Sequence, residues 1–333
     1  MDVMQFTQAL SRIWVLETRL LDKTKVERML EANSADEVLK ILGETEYANI
    51  MGNIKRAADY EEILSTELKR VYKLVYELCP VKEIVDLMST KYKYHNIKVL
   101  LKGKFLEKDL SNMLIDLGRE DLNELKRKID TDNFRDLKGN VEKAVLEVIS
   151  DFEVNKDPQK IDIIVDRYMF KELDEIKKSL NYKFTDKLVN AMIDSTNVRT
   201  LLRVKKQGKG REFASEVLVT GGAISKDTLV AIINETPENI ISKLSTSIYS
   251  DLIKEGVESY IATNSANLLE KLSDNYIMDL MKSGKLVTFG PERILSYIYA
   301  KETEIKIIRI IMVGKLNNIT EEVIRERLRD IYV

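Results

Sequence analysis

One helical phrase is written three times along this chain, about a hundred residues apart. It reads Asn96-Ile97-Lys98-Val99-Leu100-Leu101-Lys102 and returns as Asn197-Val198-Arg199-Thr200-Leu201-Leu202-Arg203. A degenerate third copy is Glu304-Ile305-Lys306-Ile307-Ile308-Arg309-Ile310, with Glu304 where the others have Asn and Arg309 in the place of Leu101 and Leu202. Apolar residues at i, i+3 and i+4 lay one stripe on a helix. Two copies add a basic pair at i, i+4, Lys98/Lys102 and Arg199/Arg203. Repetition on this scale predicts one supersecondary unit used several times, an arrangement that builds a surface or ring for partners.

The repeat extends past the phrase. Ser225-Lys226-Asp227-Thr228-Leu229 and Thr236-Pro237 each open a short helical stretch, the first with Ile232 and Ile233 on its apolar side, the second carrying Ile240, Ile241 and Leu244. Near the N-terminus, Asp22 and Ser34 open the same two helices, carrying Val26, Met29 and Leu30, then Val38, Leu39 and Leu42. Met113, Leu114, Leu122 and Leu125 form a weaker version, and Thr320 is placed to cap a truncated one. The chain thus opens with a second half-unit and closes with a truncated one. That predicts three pseudo-equivalent units around an axis, with the chain ends packed near each other. The boundaries read as 1–53 for the closing half-unit, then 54–155, 156–254 and 255–333 for the three units. An open solenoid has a shorter period, roughly 30–50 residues.

The fold class is all-α. Only 13 Gly and 4 Pro interrupt 333 residues, no run alternates with period two, and helical periodicity recurs over 5–21, 60–78, 141–149 and 161–180. Acids and bases nearly cancel, 55 against 53, so net charge points to neither nucleic acid nor an acidic surface. One Cys (Cys79) and one His (His95) exclude an internal disulfide and a structural zinc site. No signal peptide is legible, and no segment approaches the ~20 apolar residues of a membrane span. The most apolar run, Ile305 to Val313, is broken by Lys306 and Arg309.

Sites for chemistry are not legible. After the Gly-Lys pairs at 103, 208, 284 and 314 come Phe105, Gly210, Leu286 and Leu316, none of which can hold magnesium as a phosphate-binding loop requires. Gly208-Lys209-Gly210 has Phe213 where a dinucleotide fingerprint needs its third Gly. His95 reads as a helix-start residue and Cys79 as a buried small one. The densest charge is Arg199, Arg203, Lys205, Lys206, Lys209 and Arg211 without an intervening acid, and it lacks the interleaved aromatics of a nucleic-acid surface. It reads instead as a solvated or protein-facing surface. No catalytic residue, cofactor site or metal site is expected.

Three stretches carry a resemblance. The C-terminal one runs Phe289-Gly290-Pro291-Glu292, then Tyr297-Ile298-Tyr299-Ala300-Lys301-Glu302-Thr303-Glu304, and ends Ile324-Arg325-Glu326-Arg327-Leu328-Arg329-Asp330-Ile331-Tyr332-Val333. With Arg12-Ile13-Trp14-Val15-Leu16-Glu17-Thr18-Arg19-Leu20-Leu21 and Asn197 to Lys205, it closely resembles the C subunits of the bacterial and archaeal V/A-type rotary ATPases, relatives of the d subunit of eukaryotic V-ATPase. Three positions depart from that pattern: Arg293 stands where the family often has Pro, Ile307 where it often has Asn, and Trp14 where it usually has a smaller or charged residue. The resemblance implies a funnel of three helical units with no catalytic site. It implies a socket on the cytoplasmic face of the membrane that joins the central shaft, subunits D and F, to the proteolipid rotor ring. Torque would pass through it between ATP hydrolysis or synthesis and the transport of protons or sodium ions. Lys98, Lys102, Arg199, Arg203, Lys205, Lys206, Lys306 and Arg309 are the candidate partner-binding residues. The repeats taken alone also allow a generic helical scaffold or adaptor, and an enzyme with an unrecognised carboxylate site is a third reading.

Overall fold

The computed structural model describes residues 1–52, 56–118 and 121–333. Among the described residues there is no strand, and sixteen α-helices are joined by turns and short 3-10 segments. In chain order they are α1 (Thr7–Glu17), α2 (Lys23–Glu31), α3 (Ala35–Leu42), α4 (Tyr60–Leu78), α5 (Lys82–Phe105), α6 (Leu122–Asp130), α7 (Gly139–Asn155) and α8 (Pro158–Leu180). Then follow α9 (Lys183–Lys206), α10 (Arg211–Val217), α11 (Lys226–Ile232), α12 (Pro237–Lys243), α13 (Ser250–Thr263), α14 (Asn267–Ser283), α15 (Glu292–Leu316) and α16 (Glu321–Arg327).

Local chemistry sets many of the boundaries. Asp22, Ser34, Asp121, Asp157, Ser225 and Thr236 each accept a first-turn amide, satisfying a donor that the helix leaves open. Pro158 and Pro237 open α8 and α12, where the missing N–H costs nothing. Asn181 and Asn264 end α8 and α13 in the left-handed conformation. Thr320 stands at the N-cap of α16, but its hydroxyl takes no capping amide.

The chain condenses into two compact units, one formed by Ser89–Ser273 and the other by Asp2–Met88 with Asp274–Val333. The boundaries lie inside α5 and α14. The first unit is built around Tyr94, Ile97, Leu101, Val145, Val148 and Val165, with Phe105 stacked on Phe152 at 4.2 Å. The second is built around α15, which packs against α1, α3, α4 and α16 and is buried on nearly every face. Its core includes Ile13, Ile63, Val71, Ile298, Ile308 and Ile311. The two chain ends share this unit, and the Tyr332 hydroxyl donates to Glu17 at 2.9 Å. Of the boundaries read from sequence, the one after 53 lies outside the described residues. The one after 155 falls at the end of α7, and the one after 254 falls within α13. Among the described residues, no helix is long and apolar enough to cross a membrane.

Candidate partner-binding surface

The eight basic residues singled out from sequence all engage other parts of the chain. Lys98 and Lys102 on α5 reach Asp166 (2.8 Å) and Asp162 (2.7 Å) on α8. Arg203 on α9 reaches Glu270 on α14 at 2.9 Å, with Arg199 at 4.0 Å from the same carboxylate. Arg309 on α15 grips Glu61 on α4 with two bonds of 2.6 and 2.9 Å. These carboxylates have a common address: α8, α14 and α4 are the helices that directly precede the signature helices α9, α15 and α5. Each signature helix is therefore tied by an ion pair to one of these helices, α5 to α8, α9 to α14 and α15 to α4. Lys306 pairs with Asp274, which Arg329 also holds at 2.8 Å. Burial alone would raise the Asp274 carboxyl, but those two cations keep it below the usual range.

Lysines at the ends of the signature helices cap short helices. Lys104 donates to the carbonyls of Ile129 (2.8 Å) and Asp130 (3.3 Å) at the end of α6. Lys205 does the same for Ile233 and Glu235 after α11, and Lys315 for Leu30 at the end of α2. Cations at these carbonyls satisfy orphan acceptors and oppose the helix dipole. Lys206 donates to the carbonyl of Asn264 at 3.1 Å. The short helices themselves begin on Asp121, Ser225 and Asp22. Thus α6, α11 and α2 are equivalents. Sequence spacing pairs Met113-Leu114 with Leu122-Leu125 as the two short helices; instead Met113 sits in a 3-10 turn and Leu122–Leu125 begin the first of them.

Aligning the three lysines corrects the register of the third phrase. It places Ile307, not Glu304, with Asn96 and Asn197, and Arg309 with Lys98 and Arg199. A three-residue slip turns a helix face by only about 60°, so the apolar stripe looks alike in either register. The geometry separates them. Asn96 bonds both the amide and the carbonyl of Ile115 at 2.8 Å. Asn197 does the same with Val219, at 2.8 and 2.9 Å. Glu304 instead matches Asp194. Asp194 accepts the amide of Ile224 (3.1 Å), the residue before the cap of α11, and Glu304 accepts that of Leu21 (2.7 Å), the residue before the cap of α2. The first of these contacts needs glycine: a Cβ on Gly222 would lie 2.1 Å from the Asp194 carboxylate, and Gly221 has φ 104°. In the same way α10 packs on α11 and α16 packs on α2.

Residues 9–327 match the ATP synthase (C/AC39) subunit family. The chain belongs to that family. It is 31% identical to the C subunit of the V-type sodium ATPase of Enterococcus hirae over 318 residues, covering 95% of each protein. It is 25% identical to the C subunit of the A-type ATP synthase of Methanocaldococcus jannaschii, covering 98% of this chain and 87% of that one. Members of this family are structural, not catalytic, components of their complexes.

Arg293 and Trp14, read from sequence as departures from the resemblance, meet in one contact. The Arg293 guanidinium lies 5.1 Å from the Trp14 ring and bonds Glu17 at 2.9 Å. The third, Ile307, is buried beside Ile331, Tyr332 and Val333 at the junction of the chain ends. Sequence periodicity does not reveal the most buried charges. Lys301 is inaccessible and lies 2.8 Å from Glu304 and 3.1 Å from Glu67, while the Tyr47 hydroxyl donates to Glu304 at 2.7 Å. Burial works against the Lys301 cation, yet Glu304 and Glu67 raise its pKa. Burial likewise opposes the Glu67 anion, and the Arg70 hydrogen bond and Lys301 lower its pKa in spite of it. Lys301 and Glu67 are therefore both held in their charged forms. The members of this cluster come from residues 47, 67, 301 and 304, too far apart for any local pattern. The one signal in the sequence is that Lys301 and Glu304 stand one turn apart in the longest helix.

Proposed function

We propose that this subunit is a non-catalytic socket in the central stalk of a V/A-type ATPase or ATP synthase, at the cytoplasmic face of the membrane. It couples a shaft of subunits D and F to the proteolipid rotor ring, passing torque between ATP hydrolysis or synthesis and ion transport. Three units around an axis, in a funnel, give it the form for this, with residues 1–53 completing the third. The observation that carries the reading is the brace pattern. Every signature helix is tied by an ion pair to a helix that precedes another signature helix, α5 to α8, α9 to α14 and, through Arg309–Glu61, α15 to α4. Family membership and the C subunits of the V-type sodium ATPase and A-type ATP synthases point the same way.

The basic residues serve two purposes in this reading. Lys98, Lys102, Lys205, Lys206, Lys306 and Arg309 brace neighbouring segments while presenting their outer edges to acidic partner surfaces. Arg203, with 63% of its side chain exposed, is well placed to do so, and Arg199 lies beside it. A direct test is co-sedimentation. Membranes containing the rotor ring should retain the D–F shaft only when this subunit is added. The pair Arg199→Glu and Arg203→Glu should weaken capture of shaft or ring without changing the circular dichroism spectrum. Shaft retention without this subunit contradicts the socket, and unchanged affinity of the double variant removes those two residues from the interface.

A further inference from the structure

The second compact unit carries an exposed face that its own packing does not explain. On α1, Trp14 is 46% and Val15 54% exposed. Across from them, in the turn leading into α15, Leu286 is 87% and Phe289 41% exposed. Arg293 ties the two segments together: its side chain covers the Trp14 ring at 5.1 Å and donates to the carbonyl of Lys285, next to Leu286, at 3.0 Å. Four large apolar side chains thus stand in solvent on two segments joined by Arg293.

The exposed charge around them is mostly basic. Arg12 is exposed and makes no ion pair among the described residues. Arg19 pairs with Glu46 but keeps 54% of its side chain in solvent, and Lys282 keeps 37% while facing Asp279 at 3.9 Å. The one acid of α1, Glu17, is turned inward and consumed by Arg293 and Tyr332. Asp279 is the exposed carboxylate nearest the turn. An aromatic and aliphatic face with a basic rim is the composition that lies in a headgroup region and meets anionic lipid.

We propose that the face formed by Trp14, Val15, Leu286 and Phe289, rimmed by Arg12, Arg19 and Lys282, docks on an anionic lipid surface. The inference rests on the reading that the subunit works beside a membrane and adds which face turns toward it. Trp14 is the only tryptophan in the chain, so its fluorescence reports on this face alone. The full-length subunit, without ring or shaft, is titrated with vesicles of phosphatidylglycerol and phosphatidylcholine, and with vesicles of phosphatidylcholine only. The expected result is a blue shift of Trp14 emission with the anionic vesicles. It should largely vanish at about 1 M salt, where the Debye length is about 3 Å. Leu286→Asp should abolish the shift and Arg12→Glu should reduce it, both with unchanged thermal melting. No shift, an equal shift with neutral vesicles, or a shift indifferent to Leu286→Asp would overturn the proposal. So would burial of Trp14 by detergent-purified ring in the absence of vesicle binding, which would make the face a protein contact. Failure on vesicles leaves the socket standing, because shaft capture is measured separately.

Discussion

The α9 repeat and the α15 repeat solve one packing problem with different chemistry. In the α9 repeat the chain runs continuously from signature helix to α10, α11 and α12. Two neutral or single-carboxylate clasps, Asn197 on Val219 and Asp194 on Ala223 and Ile224, suffice to seat the returning backbone. In the α15 repeat the helices that complete the packing, α2 and α3, come from the opposite end of the chain. There the contact is built from buried ions: Lys301, Glu67 and Glu304, with Tyr47 and the Leu21 amide. Arg325 adds a pair with Glu27, and Tyr332 a bond to Glu17. Covalent continuity keeps the α9 partners near each other even in the unfolded chain. The α15 partners have no such help.

That contrast can be broken by substitution. The largest effect is expected from Lys301→Met, which leaves Glu304 buried without its cation and Glu67 with Arg70 alone. Urea denaturation should show a loss of about 3–5 kcal/mol. Asn197→Ala strands one buried amide and one carbonyl, and should cost about 1–3 kcal/mol. If Asn197→Ala proves the more damaging of the two, the assignment of the ionic cluster as the principal tie of the α15 repeat is wrong.

Acid separates the same two regions. The folded Glu67 carboxyl is held low, so its contribution is complete above the unfolded value of about 4.3 and is lost as pH falls through the folded one. Asp194 has the opposite sign. Burial raises it, outweighing the amides of Ala223 and Ile224. The folded state then binds the proton more tightly, and stability from this group increases as pH falls toward about 3.9. Urea denaturation at falling pH should show Glu67→Gln reducing the acid loss of stability and Asp194→Asn removing the opposing gain. No change in the pH profile of either variant, or changes of the opposite sign, would contradict the comparison. The smallest effect belongs to the braces at the surface: Arg309→Gln should cost less than about 1 kcal/mol, measured by thermal melting.

The parts of this molecule that are legible in its sequence are those fixed within a few residues. The caps at Asp22, Ser34, Ser225 and Thr236, the Pro237 start and the long amphipathic helices need only local spacing. Spacing misplaces the short helices of the first repeat because their apolar residues recur at helical intervals in a 3-10 turn as well. It also sets the third phrase three residues out of register, since Glu304 and Ile307 lie on neighbouring faces of one helix. The basic residues are legible as charges but not as braces, because Asp162, Asp166, Glu270 and Glu61 lie 60 to 248 residues from their partners. Pairing over such separations is a property of the tertiary fold.

The central claim, that this subunit transmits torque without catalysing anything, is tested most directly by reconstituting the complete complex in vesicles with and without it. ATP hydrolysis by the head and ion uptake into the vesicles are recorded together. The account predicts that omission leaves hydrolysis running and abolishes ion uptake, and that adding the subunit back restores uptake. Ion uptake that survives omission would contradict it.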